Sequence, residues 1–200
     1  MGIEVSYERI LPEKFADIRN NPKLAKEFFH TGDSSILGSL LDMMQGNSIQ
    51  DSNKILENLH QNEASVYEGY SDTTKTRLSL EKEWQAIHYL LTGEISFEES
   101  QSELILGKIV MGGTPTKFEA AYGFVKYFDS NEIKEISEAL DLVSREDLRA
   151  KFDARGDRKI YAQGEWDEEE WKMLLCAIDA VTCFFKVVAT NNEFILISSD

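Results

Sequence analysis

The segment "EKEWQAIHYLLTG", Glu81 to Gly93, sets Trp84 and His88 one helical turn apart in an otherwise apolar run. Imidazole titrates near neutrality, so a histidine beside an indole is a candidate for proton transfer, or for donating a hydrogen bond to a ligand stacked on the ring. Tyr122, Tyr161 and Asp153 supply hydroxyls and a carboxylate that could assist it, and Trp166 adds a further aromatic wall. Trp84, His88, Tyr122, Asp153, Tyr161 and Trp166 together form the candidate pocket, and none is assigned a catalytic role. The competing reading is a neutral core histidine, with one ring nitrogen on a backbone carbonyl or carboxylate and Trp84 packed beside it. Their spacing inside an apolar helix favours that core reading.

Other chemistries leave fewer traces. Glycines occur in "GEISFEE", "MGGTPTKF" and "YGFVKYF", but none follows the spacing of a phosphate-binding loop. Gly112-Gly113 ahead of Thr114-Pro115 reads as a turn. His30, His60 and His88 share no short ligand spacing and no C-x-x-C pair exists, so neither a metal nor a cofactor is expected. The carboxylates of "EWDEEEW", Glu165 to Trp171, lack the alternating ligands and glycine of a calcium loop. They suit a helix start, where acids meet the positive end of the helix dipole. No G-x-S-x-G elbow offers a nucleophilic serine. Cys176 and Cys183 are seven residues apart in an apolar helix, about 10 Å along its axis and too far for a disulfide. They read as small buried hydrophobes, inert because burial raises a thiol's pKa.

The elements that would position these groups follow from periodicity. Ile3, Val5 and Tyr7 alternate with Glu4, Ser6 and Glu8, a strand with one buried face over about 3–9. Pro12 and Pro22 stand where helices open, in "LPEKFADI" and "PKLAKEFF". Leu80 to Thr92 reads as a helix apolar on most sides, with Gly93 as its C-cap. A strand is expected over 122–128. Helices capped by Asp129 with Glu132 and by Ser144 with Asp147 come next. The longest helix spans about 167–189, with Trp171, Leu174, Ile178, Val181, Phe185 and Val188 on one face, and Asn191-Asn192 marks its end. A last strand lies near 193–198. Strands at both ends and in the middle, separated by unequal helices, give an α+β fold with a small sheet packed by several helices. Polar clusters around short apolar patches over 30–77 read as short helices joined by mobile loops. No repeat or linker divides the chain, so residues 1–200 are expected to form one domain.

Charge excludes some partners. Lys and Arg total 21 against 36 Asp and Glu, a net charge of −15. That field repels phosphate backbones and anionic bilayers, so no nucleic acid and no membrane is expected as a partner. It favours fast association with a basic protein. The two cysteines, the acidic opening "MGIEVSYERI" and the lack of any run of 18 apolar residues point to a cytoplasmic setting.

Several segments together resemble one family. "RLSLEKEWQAIHYLLTG" is similar to the signature helix of YfbM-like proteins, a bacterial family of unknown function. "LILGKIVMGG", "YGFVKYFDSNEIKEISEAL", "SREDLRAKFD" and "IYAQGEWDEEEW" resemble further family segments in the right order, and "MGIEVSYERILPEKF" resembles its opening strand and helix. The resemblance covers roughly residues 1–20 and 78–200, leaving 30–77 as a variable, lengthened region. Ala162 stands where the family usually has proline, and Ile87 where leucine is commoner. The resemblance implies a single α+β domain in a bacterial cytoplasm, with Trp84 and His88 recurring as a pair. It supplies no activity.

Three functions from different classes remain. The first is a non-catalytic module that binds a basic protein partner, for instance an immunity protein neutralising a toxin. The second is an enzyme, a hydrolase or transferase with its site around Trp84 and His88. The third is a small-molecule binder using the same aromatic cluster without turnover.

Overall fold

The alternation of Val5 and Tyr7 with Ser6 and Glu8 forms strand β1 (Val5–Ile10), an interior strand of the sheet. A computed structural model describes residues 3–21, 76–96, 105–156, 158–160 and 165–199. The helix expected over "PKLAKEFF", nearly all of the variable region 30–77, and Tyr161 lie outside those residues.

β1 pairs on one side with β2 (Arg77–Ser79) and on the other with β5 (Phe194–Ser199). β5 continues to β4 (Phe124–Phe128), which forms a hairpin with β3 (Thr114–Glu119). The order β2-β1-β5-β4-β3 is antiparallel throughout, so the first and last strands run side by side. Strands β1, β4 and β5 lie close to the strands expected over 3–9, 122–128 and 193–198. β2 and β3 are additional: β2 has three residues, and β3 is an edge strand carrying Pro115, whose missing N–H is harmless there.

A two-residue period sends Val5, Tyr7, Phe128, Ile195 and Ile197 to one face, into the larger core. Ile10, Val125 and Leu196 go to the other, where helix α1 (Pro12–Asn20) covers them with Phe15 and Ile18. β1 is thus buried on both faces rather than one, because α1 folds back over it.

The larger core is closed by α2 (Trp84–Thr92), α3 (Ile105–Met111), α4 (Ser130–Asp141), α5 (Arg145–Asp153) and α6 (Glu168–Asn191). α2 starts at Trp84 instead of Leu80, since Glu81 takes a left-handed conformation (φ 46°) that breaks the helical phase. It ends at Gly93 (φ 83°), whose N–H donates to the Tyr89 carbonyl. α6 is long and apolar enough to cross a membrane by length and composition. Here Leu174, Ile178, Val181, Phe185 and Val188 line its core face. Tyr7 ties β1 to α3, its hydroxyl donating to the Ile109 carbonyl at 2.7 Å. Five antiparallel strands and six helices, counted among the described residues, make an α+β single domain.

Candidate functional site

Trp84 and His88 share one face of α2, and both are enclosed. The Trp84 indole Nε1 donates to the Ile3 carbonyl at 2.7 Å. His88 is 1% exposed, with Nε2 3.3 Å from the Ser96 carbonyl, so that nitrogen carries the proton. Burial pushes the imidazole pKa below its ordinary value, opposed by the Ser96 hydrogen bond and by Glu94. His88 lines neither the cleft walled by Phe152 and Trp166 nor the one walled by Phe15 and Phe194.

Tyr89, the next residue, reaches toward one of those clefts. Its ring meets Trp166 edge-on at 6.2 Å, and its hydroxyl donates to the Lys151 carbonyl while accepting from Arg158 Nη1 at 2.7 Å. The cleft, about 490 Å³, opens between the end of α5 and the start of α6 and is lined by Asp153 and Trp166 of the candidate pocket. Arg149, Phe152, Arg155 and Glu168 also line it. Trp166 packs on Phe152 with ring centroids 4.7 Å apart, and Phe152 meets Trp171 at 5.3 Å. The Arg149 guanidinium lies over both Phe152 and Trp171 and bridges Asp153 at 2.9 Å and Glu168 at 2.6 Å. The hydrogen bonds that Arg149 donates to both carboxylates raise its pKa, while Arg149 holds Glu168 below the usual carboxylate range. Arg155 stacks over Trp166 at 4.9 Å and donates from Nε to the Arg158 carbonyl.

Asp153 and Trp166 therefore share one cleft, with Tyr89 connecting it to the helix that carries Trp84 and His88. Tyr122 does not join them. It sits half-exposed on the β3–β4 turn, its backbone N–H donating to the Ser199 carbonyl. Tyr161 lies outside the described residues. Sequence reasoning missed Arg149, Arg155 and Arg158, although "LRAKFDARGDRK" is a basic stretch in an acidic chain and signals a local departure.

The helix-capping role of "EWDEEEW" is carried by Asp167, whose side chain accepts from Glu169 N and Glu170 N. Glu170 itself is buried, and its Oε1 has no hydrogen-bond partner among the described residues. Burial, with Glu83 and Asp167 nearby, raises its pKa. Cys176 and Cys183 are half-buried rather than fully enclosed, because they flank the core face of α6. Burial and Asp179 push the Cys176 thiol up, away from the reactive thiolate. Among the described residues no three His, Cys, Asp or Glu side chains gather as a metal-ligand set.

A family model described as "Domain of unknown function (DUF1877)" matches residues 1–198, running through the 30–77 region as well. The chain belongs to this family. A solved structure, a protein of unknown function, YfbM from Escherichia coli, is similar in fold with a TM-score of 0.58 at 14% identity. That likeness covers 98% of this chain and 99% of the other. No protein with a curated description matches.

Proposed function

We propose that this protein is a non-catalytic binding module that captures a basic protein partner, in the manner of an immunity protein neutralising a toxin. The observation that supports it is the excess of exposed carboxylates over exposed cations, in a chain of net charge −15. Such a field accelerates encounter with a basic surface and suppresses acidic competitors. The enclosure of His88, the helix's one acid–base candidate, is consistent with binding rather than turnover. The test is affinity capture with the full chain from the native host at about 0.15 M salt, followed by reconstitution with the purified captured protein. A basic protein forming a stoichiometric complex is expected. Only acidic or neutral proteins, or none that reconstitutes, would contradict the reading.

A second reading, a small-molecule binder, is favoured by the α5–α6 cleft. Its volume lies in the range of roughly 300–1,000 Å³ common to ligand pockets, and aromatic rings form its wall.

A further inference from the structure

Arg155 is fixed before any ligand arrives. Its guanidinium lies on the Trp166 ring at 4.9 Å and its Nε donates to the Arg158 carbonyl at 3.1 Å. The reciprocal backbone bond, Arg158 N–H to the Arg155 carbonyl, closes a turn around it. Gly156 (φ 58°) permits that turn, since a side chain is strained in the left-handed region. Arginine normally loses much rotamer freedom when it grips a ligand, so a side chain already held in place avoids most of that cost.

The charges around it are otherwise engaged. Arg149 is bridged to Asp153 and Glu168, and Asp167 caps α6. Arg155 makes no ion pair among the described residues, and both of its terminal nitrogens remain to form a fork. A guanidinium fork matches the two oxygens of a carboxylate or a phosphate. The electrostatics decide between them. Asp153, Asp167 and Glu168 line the cleft against the two guanidiniums of Arg149 and Arg155, and the chain carries −15. The net field thus opposes an anion and opposes a dianion about twice as strongly, while the fork offers either the same pair of hydrogen bonds. The rings of Trp166 and Phe152 suit a flat apolar body beside the charged end.

We propose that the α5–α6 cleft receives the carboxylate of a small organic monoanion, with Arg155 as the fork and the cleft-lining edges of Trp166 and Phe152 as the apolar wall. This rests on the small-molecule reading of the cleft and is independent of the protein-partner reading. The probes are phenylacetate, its neutral isostere phenylacetamide, and inorganic phosphate. Each is titrated into the full ¹⁵N-labelled chain while the indole N–H signals of its three tryptophans are followed. Trp166→Phe assigns the reporting signal.

Phenylacetate is expected to shift the Trp166 signal saturably and to leave that of Trp84, bonded to Ile3, in place. Phenylacetamide, phosphate and the Arg155→Gln chain with phenylacetate should each bind about tenfold more weakly or worse. If the amide binds as tightly as the acid, the cleft is a ligand site but the carboxylate assignment is overturned. Tighter phosphate binding overturns the monoanion argument. If no probe moves the Trp166 signal, the ligand reading of the cleft falls with it. The acid–amide comparison needs no variant, so the proposal stays testable even if Arg155→Gln unfolds.

Discussion

At the scale of single residues, two buried ionisable side chains set opposing pH dependences. His88 has its pKa lowered by burial, so between that value and the ordinary one near 6.5 the unfolded chain binds the extra proton. Stability should therefore rise with pH through that window, by at most about 1.4 kcal/mol per unit, and level off above it. Urea denaturation across the window checks this against His88→Leu, which should lose the slope. Glu170 runs the other way. Its pKa is raised above 4.5, so the folded chain holds the extra proton and stability is lost as pH climbs through the folded value. Glu170→Gln should be the more stable chain near neutrality, on the order of 1 kcal/mol, and lose that advantage below about pH 4. An unchanged melting temperature at neutral pH would contradict it.

These two residues were unequally legible. His88 stands out because a lone histidine interrupts an apolar stripe, in a helix that is apolar on most sides. Glu170 looks like any other acid in "EWDEEEW". Its burial is decided by which face of α6 turns toward the core, and Asp167 fixes that phase by taking the cap position.

At the scale of elements, helix starts rest on named side chains. Asp129 and Glu132 form a complete capping box on α4, each side chain accepting from the other's end of the turn. Asp129→Ala should cost about 1 kcal/mol, measured by chemical denaturation with an unchanged m-value. The α3–β3 turn is less forgiving. Gly113 holds φ 90°, and a Cβ there would stand 2.9 Å from the Tyr127 carbonyl oxygen. Gly113→Ala combines strain with a clash and should cost on the order of 2 kcal/mol or more, against Gly93→Ala, where the Cβ meets open space and only the left-handed φ is strained.

Elements with a strong period were readable: β1 from its alternation, α6 from its apolar stripe, α4 from its box. β2 and β3 were not. "RLS" is too short to show alternation, and "TPTKFE" is mostly polar because none of its side chains is fully buried on either face. The cleft shows the same limit. Asp153 and Trp166 could be chosen singly, but their sharing of Arg149, Phe152 and Arg155 depends on how α5 docks against the start of α6. No local pattern encodes that docking.

At the scale of the whole molecule, the acidic surface is the property that any partner meets first. Long-range attraction raises the association rate and fades as salt shortens the Debye length, whereas contacts made after docking govern dissociation. The most direct test of a charge-steered binding module is thus the association rate constant of the reconstituted complex, followed by stopped flow from about 0.05 to 0.5 M salt. The account predicts a fall of about tenfold or more over that range, with the dissociation rate changing far less. An association rate indifferent to salt would contradict it.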